Sequence, residues 1–293
     1  MTKGTRAFRI IISILLGLTM LWTAFISYAF LYYVDNKLEQ KQAERYGIYV
    51  AGVDVTRGNA HDILGDGTVS YNEVRNRLTF CNATIECEGS AIYSEIDLTV
   101  ELVGENKFVC SGKEYTYAVY TSDVSLKKDL AITGNGSLEI IIADDTCENN
   151  AGIIAGELWI GADVSITLAN AADSSDGISC SYLNLDENTV LTVKTGSAEQ
   201  SSGIFVRGNM HLEDHSVLHV TGSASEKESR GIEVTGTVTA EEAAQITASC
   251  GGTRAGIVCY DVFLDYGANV NSGIDAIDGI RYMAGSSQKS PEA

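Results

Sequence analysis

The chain changes its hydrophobic rhythm once, near residue 45. From Ile10 to Val34, 25 residues run without a formal charge. Beyond Arg45 no long stretch sets apolar residues at helical spacing; apolar and polar residues alternate in short runs broken by turns. The first pattern predicts a helix roughly 37 Å long at about 1.5 Å per residue, enough to cross a hydrocarbon core of about 30 Å. The second predicts short β-strands with alternate side chains on opposite faces.

The strand region repeats. Gly-Ile recurs at Gly152-Ile153, Gly177-Ile178, Gly203-Ile204, Gly231-Ile232, Gly256-Ile257 and Gly279-Ile280, at intervals of 25, 26, 28, 25 and 23 residues, and Ala91-Ile92 and Ala118-Val119 read as earlier copies. An eleven-residue segment accompanies the repeat and aligns without gaps: VSLKKDLAITG from Val124, LWIGADVSITL from Leu158, LNLDENTVLTV from Leu183, MHLEDHSVLHV from Met210, VTAEEAAQITA from Val238 and VFLDYGANVNS from Val262. Positions 1, 3 and 9 are apolar or small in every copy, which predicts two alternating strands joined by a polar turn. With the Gly-Ile strand, each unit supplies three strands. No unit can bury its inward row alone, whereas stacked coils about 4.8 Å apart bury it continuously. The predicted class is therefore all-β: a single-stranded parallel β-helix, a solenoid of about 25 residues per coil, behind an N-terminal transmembrane helix. Its inward column should run through Ile153, Ile178, Ile204, Ile232 and Ile257, and two residues on through Ala155, Cys180, Val206, Val234 and Cys259. Glycine before each isoleucine suits a corner where a side chain would crowd the adjoining coil or the backbone needs positive φ.

This periodicity decides how HLEDHSVLH (211–219), which holds three of the four histidines, should be read. An i, i+4, i+8 spacing converges only on a helix. In the repeat, His211 is position 2, beside Ser125, Trp159, Asn184, Thr239 and Phe263. His215 lies in the turn at the place of Asn188. His219 joins Thr133, Thr167, Thr192, Thr247 and Asn271. Two faces and a corner do not make one tetrahedral zinc centre, so no metal is expected.

The expected organisation is a cytoplasmic tail (1–9), a signal anchor (10–34), a polar helical stalk (35–46), an N-terminal β cap (47–86), the β-helix (87–284) and a disordered tail (285–293). Trp22, Tyr28, Tyr32 and Tyr33 suit an interfacial aromatic belt. The competing reading is a signal peptide with a weak cleavage site at Ser27-Tyr28-Ala29, but the apolar run exceeds the usual length of about 7–15 residues. Lys3, Arg6 and Arg9 are matched in number by Lys37, Lys41 and Arg45. Asp35, Glu39 and the character of the C-terminal part place that part outside a cell membrane.

Composition sharpens this picture. The 29 glycines and single proline fit an all-β chain with many tight turns. Three basic and no acidic residues precede Asp35, so the chain's net −19 becomes −22 over residues 35–293. Such a surface repels nucleic acid. Seven cysteines (81, 87, 110, 147, 180, 250, 259) include no C-x-x-C. Cys180 and Cys259 read as buried small residues, and a disulfide among Cys81, Cys87 and Cys110 stays open.

Polysaccharide lyase or hydrolase chemistry is the enzymatic alternative on such a fold. Asp144-Asp145 is present, but the Gly-His-Gly and Arg-Ile-Lys elements that resemblance to polygalacturonases would require are not. The chain reads as non-catalytic and without a cofactor. A ligand face is the better candidate: Trp159, His211 and Phe263 in one outward column, and Tyr93, Tyr120 and Phe205 in the Gly-Ile column, could stack on sugar rings. The block YVAGVDVTRGNAHDILGDGTVSYNEVRNRLTFCNATI, followed by coils such as AIYSEIDLTVELVGEN, resembles the repetitive β-helical surface proteins of Gram-positive anaerobes described as containing carbohydrate-binding domains. The resemblance covers residues 47 to about 280 and implies a right-handed extracellular parallel β-helix with glycan contact or adhesion. The expected partners are the membrane, through residues 10–34, and a polysaccharide or glycan. The alternative is a surface assembly protein that self-associates through its solenoid end, where the last unit, GIRYMAG, is truncated.

Overall fold

The computed structural model describes residues 3–112, 115–122, 127–143, 149–168, 174–196, 200–222, 228–250, 256–272, 274–276 and 280–282. It divides into two units: Met1–Arg45 with Thr56–Asn59, and Tyr46–Val55 with Ala60–Ala293.

In the first unit one helix, α1, runs from Lys3 to Gln42. Its segment Leu16–Val34 has a mean hydropathy of 1.3 and no buried side chain, and it is long and apolar enough to cross a membrane. A signal sequence meets the same condition. Thr19 and Thr23 turn their hydroxyls back onto the Leu16 and Met20 carbonyls, each at 2.9 Å, so neither presents an unmet donor along the apolar surface.

The second unit is a parallel β-solenoid of about six turns, about 27 residues per turn. Each turn contributes to three strips. In one turn, Asn149–Ile154 belongs to the Gly-Ile strip, Glu157–Ile160 to a middle strip and Asp163–Leu168 to a third strip. All three pair in parallel with their counterparts in the next turn. Ile178 faces Ile204, and Ile204 faces Ile232. The five isoleucines of the column are at most 1% exposed, and the second column, from Ala155 to Cys259, at most 2%. Ile92 faces Val119, which faces Ile153, so the two earlier copies stack where the repeat predicts. The third strip shows how the pattern works: along Asp163–Leu168, Val164, Ile166 and Leu168 are buried while Asp163 and Thr167 are exposed.

Close approach, rather than positive φ, explains the glycines of the Gly-Ile strip. A Cβ on Gly203 would lie 2.2 Å from Val220 Cγ1 and 2.6 Å from the Gly231 carbonyl oxygen. Left-handed backbone occurs instead at the polar turn, where Asn188, His215, Ala243 and Gly267 take φ of 58°, 60°, 59° and 81° at the same place in four successive turns.

Three registers differ from the gapless alignment. Leu130, not Val124, faces Leu158, so Ala131 stands beside Trp159; Ser125 lies outside the described residues. In the third strip, Thr192 faces Ser165, and Thr167 faces Lys194, because the turn after Ile160 is two residues shorter than the turn after Leu185. Thr133 lies in the middle strip opposite Glu101, outside the His219 column. Finally, Ile274 continues the Gly-Ile strip opposite Ile257, and Ile280 faces Val262 in the middle strip.

Parallel stacking begins at Arg77–Cys81 and Thr84–Glu88, which pair with Leu98–Val103 and Glu105–Ser111. Within the predicted cap block, Arg45–Val50 runs antiparallel to Ile92–Ser94, and Val69–Asn72 runs antiparallel to Arg77–Cys81. Antiparallel strands thus cover the first rungs of two strips, occupying backbone groups that an open edge would expose.

Candidate functional site

The histidines separate as the repeat requires. His211 Nε2 lies 3.1 Å from Glu241 Oε1 of the next turn. His215 is exposed in the left-handed turn, and His219 stands in the third strip between Thr192 and Thr247. Among the described residues no group of three or more His, Cys, Asp or Glu side chains is placed to hold a metal ion. Asp144-Asp145 lies outside the described residues.

The Gly-Ile strip brings Tyr93 and Tyr120 together and leaves Phe205 apart. Tyr93 stands between Tyr49 and Tyr120, with ring centroids 5.7 Å away on both sides and tilts of 37° and 34°. Tyr117 adds a ring 5.4 Å from Tyr120. Phe205 is separated from Tyr120 by Ile154 and Ser179. Rings stacked on one another in this way cover part of each other's faces. Tyr49 and Tyr117 were not legible as members, since Tyr49 reaches the ladder from an antiparallel strand.

The middle strip is arranged differently. Its outward column runs Ala131, Trp159, Asn184, His211, Thr239, Phe263. Trp159, His211 and Phe263 therefore fall on alternate rungs, roughly 10 Å apart at two strand spacings. Trp159 is 41% exposed, and its rung neighbours, Ala131 and Asn184, carry no ring. It borders a shallow groove of about 290 Å³ whose lining includes Arg75, Asp97, Thr99, Asp129 and Ala131.

The groove's carboxylates are held by the winding itself. Asp97 Oδ1 accepts the Asp129 N–H at 3.0 Å, and Asp129 Oδ1 accepts the Glu157 N–H at 2.8 Å. Each aspartate thus ties its side chain to the backbone of the following turn. Gly156 gives Asp129 room, since a Cβ there would come within 2.6 Å of Asp129 Oδ1. Asn184 Nδ2 donates to Glu157 Oε1 of the preceding rung at 3.3 Å. The result is an exposed indole beside a row of positioned polar groups, able to combine apolar stacking with hydrogen bonding.

Sequence reasoning named Trp159, which borders the groove, but not Arg75, Asp97, Thr99 and Asp129. The signal was an acidic residue just before the middle-strip segment in Asp97, Asp129 and Glu157, hidden by the misplaced register at Val124. No family model, no curated protein and no solved structure matches this chain.

Proposed function

We propose that the chain is a membrane-tethered, extracellular, non-catalytic binding module that takes carbohydrate at the Trp159 groove. The observation that carries this reading is the exposed indole set beside Asp97, Asp129, Thr99 and Arg75. An aromatic face offers a pyranose ring an apolar platform, and fixed polar groups around it orient hydroxyls. The alternate-rung placement of His211 and Phe263 supports an extended chain lying along the strip rather than a single sugar. With a net −22 over residues 35–293, a neutral polysaccharide is favoured over an anionic one. In this reading α1 is retained as an anchor with residues 35–293 outside the membrane, and the resemblance to surface proteins of Gram-positive anaerobes supports that placement and a role in adhesion.

The full chain in detergent micelles, applied to a glycan array, should retain neutral polysaccharide. Trp159→Ala should weaken retention about tenfold or more, equivalent to about 1.4 kcal/mol, with an unchanged circular-dichroism spectrum. Unaltered binding by Trp159→Ala, or retention of no glycan at all, defeats the proposal.

A further inference from the structure

We propose that Cys87 and Cys110 are a disulfide-forming pair that ties the first two rungs of the third strip together when the chain meets an oxidising thiol–disulfide couple. The two cysteines are direct register partners, in Thr84–Glu88 and Glu105–Ser111. Both point inward, and their sulfurs are 3.5 Å apart in an S–H···S hydrogen bond. Directly opposed residues on adjacent strands are about 4.8 Å apart, within the Cα range that a disulfide accepts, about 4.4–6.8 Å. Closing the bond requires the sulfurs to approach from 3.5 Å to about 2.05 Å.

Access is asymmetric. Cys110 is fully buried, whereas Cys87 sits on the terminal strand of its sheet and is half-buried. The same asymmetry appears in acidity: the hydrogen bond shared with Cys110 lowers the Cys87 thiol below its ordinary value, and that bond together with burial raises Cys110. Cys87 is therefore the entry thiolate. It attacks one sulfur of a small-molecule disulfide, releasing the other half as a thiolate that takes up a proton. Cys110 then loses its proton and attacks Cys87 Sγ, expelling the second half. One disulfide is reduced to two thiols, and two protein thiols become one disulfide.

The bond would join rungs at the end of the strip that no earlier strand covers, where fraying begins. Cys81 is the internal control, being exposed on Arg77–Cys81 with Val103 as its register partner. The inference does not depend on carbohydrate binding or on the orientation of α1.

The test is oxidation of the folded full chain, in detergent micelles, with oxidised glutathione, followed by maleimide alkylation in urea and tryptic mass spectrometry. Wild type and Cys81→Ser should each yield a cross-link between the peptide Phe108–Lys113 and the peptide carrying Cys87. Their melting temperatures should rise by several degrees, and both effects should vanish in Cys87→Ser. Three results would overturn the proposal: both thiols still alkylated, a stable glutathione adduct on Cys87 alone, or Cys110 joined to another cysteine.

Discussion

At the scale of single residues, the solenoid holds Asp176 against its preference. Asp176 lies on the Gly-Ile strip between Ala151 and Ser202, and burial pushes its carboxyl up to about 6, opposed by the hydrogen bond it accepts from the Ser202 N–H at 3.1 Å. Nearby Glu233 raises it further, and Lys127, itself lowered by burial, pulls it down. A raised carboxyl means that the folded chain binds this proton more tightly than the unfolded chain. The resulting stability is complete below about pH 4 and is lost as pH rises towards 6. Asp176→Asn keeps an oxygen for the Ser202 N–H and removes the charge. It should stay close to the parent at pH 4 and exceed it by about 3 kcal/mol at pH 7.5, in urea unfolding followed across that range.

Single elements owe their stability to their neighbours in adjacent turns. Arg45–Val50 is held through its pairing with Ile92–Ser94 and through Tyr49 on Tyr93. Because Tyr93 stands between Tyr49 and Tyr120, removing it interrupts two ring contacts at once. Tyr93→Ala should cost about 1–3 kcal/mol and speed amide exchange in residues 46–50. Exchange around Cys259, several turns away, should not change. Equal acceleration in both regions would mean that the cap and the distal turns open as one body.

At the scale of the whole molecule, contacts join each turn to the turns beside it, so the solenoid should tolerate loss of one complete repeat. Deleting residues 178–203 joins Gly177 to Ile204, which are adjacent in the Gly-Ile pattern, and leaves Ile153 to stack on Ile204. The shortened chain should keep its β-sheet circular dichroism and melt cooperatively, as expected of nearest-neighbour stabilisation. Deleting 178–190 instead joins Gly177 to Leu191, merging two strips, and should give insoluble protein.

The sequence by itself determined that the chain winds and which residues face inward. Both properties rest on local alternation: Ile153, Ile178, Ile204, Ile232 and Ile257 carry their burial in their spacing, whereas the left-handed backbone at Asn188, His215 and Ala243 was not legible. The register between turns was decided only in three dimensions, because a slip of two or six residues leaves the inward–outward alternation intact. Such slips moved Ala131 beside Trp159, Thr192 opposite Ser165 and Ile280 onto the middle strip. Outward neighbours depend on that register, as does the sulfur pair of Cys87 and Cys110. The groove, the tyrosine ladder and the dithiol therefore belong to the tertiary structure, while the core they stand on follows from the alternation of the chain.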